Sequence, residues 1–120
     1  MLPLHIAVLG TDRRRLRTFE QTIRRLGHRA VTAVPPDAAP CDPDVVVVDA
    51  RGGLDWAAVP DDTGALLVIA DEPGAYQEDI RRRGGLAIVL SGHESDAAYI
   101  VAIRLCAALR RSSWRLHETG

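Results

Sequence analysis

Three uninterrupted apolar runs punctuate the chain, His5–Leu9, Val45–Val48 and Leu66–Ile69, and a fourth, Leu86–Leu90, has the same character. Continuous Val/Ile/Leu runs of this length, without strict alternation, predict strands covered on both faces and therefore a parallel sheet. His28–Val34 predicts a further strand, half-exposed. The pattern between these runs is helical. Leu16, Phe19, Ile23 and Leu26 mark one face of a helix from Asp12 to Leu26, capped by Thr11 or Asp12 and stopped by Gly27. The arginines at 13, 14, 15, 17, 24 and 25 fall mostly on the opposite face. A short helix is expected over 75–83, before Gly84-Gly85, and a last one over 95–111, capped by Ser95 or Glu94.

Alternation of strand and helix predicts a three-layer α/β sandwich with right-handed crossovers, and five strands favour the flavodoxin-like order 2-1-3-4-5. The functional crevice of such a sheet lies at the carboxyl ends of its strands, which here collects Gly10, Thr11, Asp49, Ala70 and Ser91. The stretch "PPDAAPCDP" after the second strand holds too many prolines for a regular helix. "ARGGLDWAAVPDDTGA" after Asp49 leaves room for one or two turns near Leu54–Val59. The second and third helices are thus expected to be shortened or lost, with Trp56 packing over the face they leave thin. Residues 1–112 are expected to form the domain and 113–120 a tail or the start of a linker.

Composition narrows the function. The chain has 120 residues, 47% of them hydrophobic and 26% charged, as in an ordinary globular domain. A net charge of −1 gives no general reason to expect nucleic acid or an anionic membrane as partner. No run approaches a membrane span, and "MLPLHIAVLG" lacks the features of a secretory signal. Cys41 and Cys106 fit neither a metal nor a redox spacing, and the setting expected for them is a reducing cytoplasm. His5, His28, His93 and His117 have no ligand spacing. "RRR" at 13–15 and at 81–83 reads as solvated helix faces, without the aromatic interleaving of a nucleic-acid site. Ser91, His93 and Asp96 in "SGHESD" lie too close on one loop to converge as a triad. The expectation is a non-enzymatic domain without a cofactor.

The rim positions carry a resemblance. "PDVVVVD" resembles the third strand of the receiver domain of bacterial response regulators, ending in its phosphoacceptor aspartate, here Asp49. "GALLVIA" is similar to that family's fourth strand, and "GGLAIVLS" to the stretch into its fifth. The resemblance covers nearly the whole chain. It implies phosphoryl transfer from a histidine kinase onto Asp49, assisted by Mg²⁺ near an acidic pair after the first strand and by a lysine after the fifth. A Ser/Thr after the fourth strand would then read the phosphoryl group. The chain departs at each point: Gly10 and Thr11 stand for the acidic pair with Asp12 one step further on, Ala70 for the Ser/Thr, and Ser91 for the lysine. The chain contains no lysine, and arginine does not fill the same space. Mg²⁺ binding is therefore expected to be weak or absent. Two readings of Asp49 stand: an inherited strand end hydrogen-bonded to nearby backbone N–H groups, or a phosphoacceptor in a degraded pocket.

The final helix is apolar well around its cylinder. Tyr99, Ile100, Ile103, Arg104 and Ala107 are candidates for a homodimer face, with a wider core contact as the competing reading. The resemblance thus implies an atypical receiver, largely phosphorylation-independent, acting by protein–protein contact, with its usual setting in a transcription regulator whose output domain is the partner. Direct binding of nucleic acid or membrane by this chain is not expected. The alternatives are the phosphoacceptor with a degraded pocket and a small-molecule or nucleotide binder using the vacated rim.

Overall fold

The computed structural model describes residues 3–34, 43–53, 56, 59, 65–72, 74, 76–83 and 86–119, with residue 83 and residues 110–119 as backbone only. Its order is β1 (His5–Leu9), α1 (Arg13–Arg25), β2 (Arg29–Ala33), β3 (Val45–Asp49), β4 (Leu66–Ile69), α2 (Gln77–Arg83), β5 (Ala87–Leu90) and α3 (Asp96–Thr119). The strands form one five-stranded sheet in the order β2-β1-β3-β4-β5, every pairing parallel. This is the flavodoxin-like α/β arrangement that the apolar runs predict.

The central strands β3 and β4 are apolar except for Asp49 because neither of their faces meets water. β3 and β4 are buried at every residue, whereas edge strand β5 is only partly buried. Strand parity divides the core in two. Ile6, Val8, Val45, Val47, Leu67 and Ile69 meet Leu16, Phe19 and Ile23 of α1 and Tyr99, Ile103 and Cys106 of α3. Leu9, Val46, Val48, Leu66 and Val68 point the other way, where Val59 is buried and Trp56, Tyr76 and Ile80 pack over them. Trp56 leans on Tyr76 with ring centroids 5.9 Å apart. The expected loss of the second helix falls on 35–42, outside the described residues, as does most of the segment around Trp56.

Element ends follow local chemistry. Asp12 caps α1, its Oδ1 accepting from the backbone N–H groups of Arg14 at 2.9 Å and Arg15 at 3.2 Å. That caps the helix with Asp12 and leaves Thr11 exposed. Ser95 caps α3 through its hydroxyl, which accepts from Ala98 N–H at 3.3 Å. α3 then runs on to Thr119, past Arg111 where the sequence pattern would end it.

The first helix carries an electrostatic oddity. Its start places three consecutive arginines at the N-terminal turn, with no acidic residue there. Cations are disfavoured at this end of a helix dipole, by roughly 0.3–1 kcal/mol each when exposed.

Candidate functional site

Asp49 closes β3 on the same side as Val45 and Val47, beneath α1 and α3. Its side chain is 0% exposed, and it is the one buried charged residue among those described. Such a carboxylate persists only if paired and hydrogen-bonded. It has two cationic partners. Arg15, reaching down from the first turn of α1, donates from Nε to Asp49 Oδ2 at 2.8 Å. Arg51, two residues beyond Asp49, donates from Nε to Oδ1 at 2.8 Å and from Nη2 to Oδ2 at 3.4 Å. The Arg51 backbone N–H adds a bond to Oδ1 at 3.2 Å. Both carboxylate oxygens are thereby taken by charge-assisted donors.

The arginines are themselves held. Arg15 Nη2 donates to the Arg51 carbonyl at 2.8 Å, and its Nη1 lies 3.4 Å from Asp12 Oδ2. Its guanidinium pKa is raised above the ordinary value, mainly by the hydrogen bond to Asp49 and against the opposing effect of burial. The Asp12 carboxyl is lowered, first by its bond from the Arg15 backbone N–H. The Arg51 guanidinium lies over the Phe19 ring, 5.7 Å from its centroid, a cation–π contact. Phe19 in turn meets Tyr99 edge-on at 6.3 Å. Burial of Tyr99 raises its hydroxyl pKa.

Two glycines make room for this arrangement. A Cβ at Gly10 would sit 3.0 Å from Leu16 Cδ2 and 3.1 Å from Asp49 Cβ, so any larger side chain there requires these neighbours to shift. Gly92 has φ +95°, and a Cβ on it would lie 2.8 Å from Arg51 Nη1. The positive φ favours glycine in the loop after β5, and its missing side chain leaves room for the end of Arg51.

Several expectations change as a result. The sequence leads one to expect Asp49 among backbone N–H groups with its cations missing; instead two side-chain cations hold it, supplied from α1 and from the loop after β3. Arg15, expected on the solvent face with its neighbours, turns inward. It lies only one residue before Leu16 and four before Phe19, on the border of the apolar stripe, and this position permits the turn. Arg13, Arg14 and Arg17 are exposed.

The remaining rim residues do not converge on Asp49. Ala70 is buried in the opposite core layer and its backbone N–H goes to Leu90. The Ser91 hydroxyl donates to Glu94 at 2.6 Å, and the same carboxylate accepts from the Ser91 and Gly92 backbone N–H groups at 3.2 and 2.9 Å. Burial pushes the Glu94 carboxyl pKa up, but these bonds outweigh it and the net shift is downward. Ser91 is therefore committed to its own loop. Among the described residues no group of three or more His, Cys, Asp or Glu side chains is placed to hold a metal ion.

Mg²⁺, the ion the resemblance implies, does not fit the residues present. It needs near-octahedral oxygen ligands, usually with one or two carboxylates among them. The oxygens gathered here are those of Asp12 and Asp49 and the Arg51 carbonyl, and all three already face the Arg15 guanidinium. A divalent ion among them would meet two fixed positive charges.

The last helix also turns differently from the expected dimer face. Tyr99, Ile103 and Ala107 are buried in the core with Ala102 and Cys106, because they face the sheet. Burial raises the Cys106 thiol pKa to about 11. Ile100 is partly buried and Arg104 exposed. The outward stripe is Ala97, Val101, Leu105 and Ala108, with Val101 64% and Leu105 48% exposed. Their i, i+4 spacing places Val101 and Leu105 one turn apart.

No family model and no curated protein matches the chain. Among solved structures, a chain described as the yeast Spc42 trimeric coiled-coil fused to another structure is similar at a TM-score of 0.66 and 15% identity. The match covers 96% of this chain and 86% of that one. At this identity the likeness concerns the fold alone.

Proposed function

We propose that this chain is an atypical receiver-like module that signals by protein–protein contact and does not depend on phosphorylation. The observation that carries the reading is the saturation of Asp49: the acid is fully buried and both its oxygens are bound by Arg15 and Arg51. A nucleophilic carboxylate must present a free oxygen to the phosphoryl donor, and the transferred charge then needs its own cation. Here the two cations beside the acid, Arg15 and Arg51, are both bound to it. Ala70 supplies no hydroxyl to read a phosphoryl group, and Ser91 is bound to Glu94.

Output by contact is supported by the outer face of α3. Val101 and Leu105 expose apolar surface beside Arg104, on a helix whose other side is fully engaged with the sheet. Exposed apolar surface of this kind on a small domain commonly meets a partner. The partner we infer is a second copy of the chain, joined through α3 in a symmetric pair. Its setting is the regulatory part of a transcription regulator in the cytoplasm.

Sedimentation equilibrium at micromolar concentration tests the contact. The expected result is a dimer that Val101→Asp converts to a monomer with the circular-dichroism spectrum unchanged. A clean monomer for the unmodified chain would remove the second copy as partner.

A further inference from the structure

The most informative feature of the site is the set of oxygens around Arg15. Its three guanidinium nitrogens face three oxygens, two from the end of β3 and the loop that follows it and one from the cap of α1. Nε meets the strand-end carboxylate of Asp49 at 2.8 Å, Nη2 the main-chain carbonyl of Arg51 at 2.8 Å, and Nη1 the helix-capping carboxylate of Asp12 at 3.4 Å. Two carboxylates and a carbonyl gathered around one position are the oxygen types that a hard divalent cation takes. The same point is filled by a side chain that is always charged and has a planar fork of donors.

We propose that Arg15 is a built-in cation, occupying the place of a divalent ion and making the pocket permanently metal-independent. This deepens the phosphorylation-independent reading of the pocket and rests on it. Three further observations support the assignment. Arg15 stands in the first turn of a helix, where a positive charge is disfavoured unless a local partner offsets it. Its side chain is 34% exposed, much less than the 62% of Arg24 on the same helix, which is paired only with Glu20. Arg51 closes the remaining side of Asp49, so two acids and two arginines balance without any added ion.

The consequence is specific. Removing the charge of Arg15 leaves Asp12, Asp49 and the Arg51 carbonyl facing a space with one cation fewer, and a divalent ion becomes the natural replacement. Loss of a fixed charge so close to the incoming ion should tighten divalent binding by about ten-fold or more. The carbonyl belongs to the main chain, so Arg51 itself can be varied without losing that oxygen. Asp12 is the only one of the three oxygens contributed from outside the β3 segment, and its contribution is separable.

Mn²⁺ is the probe, read by paramagnetic broadening of the backbone amide signals of Asp12, Ala50 and Arg51 in the full chain. The unmodified protein is expected to show no saturable broadening at these amides in the millimolar range. Arg15→Ala should gain saturable broadening there, with an apparent dissociation constant about ten-fold or more below any residual binding by the unmodified chain. Adding Asp12→Asn to Arg15→Ala should abolish the gain. Arg15→Gln, which keeps the stem and a donor but no charge, is the variant to read if Arg15→Ala does not fold.

Folded Arg15→Ala or Arg15→Gln without Mn²⁺ binding would overturn the built-in cation while leaving the contact-based function untouched. Saturable binding at these amides by the unmodified chain, as tight as in the variants, would overturn both the built-in cation and the metal-independent reading of the pocket.

Discussion

Asp49→Asn is expected to destabilise the protein by about 2–4 kcal/mol, the cost of breaking a buried ion pair, reduced because Arg15 is one-third exposed and partly screened. With the carboxylate neutralised, the Arg15 and Arg51 guanidiniums still converge on a fully buried side chain. One of them then meets an amide N–H in place of an acceptor. The opposite sign belongs to the opposite architecture. Where several carboxylates crowd together awaiting a metal, neutralising one relieves repulsion between like charges and raises stability. Urea denaturation with linear extrapolation reads the difference directly. A stability gain in Asp49→Asn would mean that the arginines do not hold the acid in solution.

The second large effect concerns the last helix. Ile103 is 1% exposed and packed among the sheet-facing residues of α3, so Ile103→Ala is expected to cost about 2–4 kcal/mol through lost burial and the cavity left behind. Val101→Thr, on a side chain 64% exposed in the single chain two residues earlier, should stay within about 0.5 kcal/mol at dilutions where the chain is a monomer. The pair of values, from urea midpoints at fixed protein concentration, reports which side of α3 faces the sheet. A costly Val101→Thr beside a neutral Ile103→Ala would turn the helix around and remove the proposed contact face.

The sequence is informative about the fold for a physical reason. Strands buried on both faces read as near-continuous apolar runs, so the four valines before Asp49 and "LLVI" admit few alternatives. Leu16, Phe19 and Ile23 do the same for α1, with Asp12 marking its start. The orientation of α3 is harder to read. A helix with apolar residues on most sides has no pattern that singles out its inner stripe, and the burial of Tyr99, Ile103 and Ala107 follows from packing against β3, β4 and β5.

The site is legible only in part. Asp49 declares itself by its position after four valines, whereas its partners are hidden by their residue type. Six arginines along α1 look alike, and only the fold shows that the one bordering the apolar stripe lies over the end of β3. Arg51 carries a clearer signal, only two residues beyond Asp49 in the turn that follows β3. Reading the pocket by the absence of lysine misses it, because the balancing charge comes from α1 and the loop after β3, not from the loop after β5.

The most direct measurement is intact-mass spectrometry and amide NMR of the unmodified chain after incubation with acetyl phosphate and Mg²⁺. An acid whose oxygens are both held by arginines should stay unmodified, and the spectrum should match that of the untreated protein. A phosphoryl adduct on Asp49 that forms only with Mg²⁺ and shifts amides as far away as α3 would contradict a pocket closed by its own arginines.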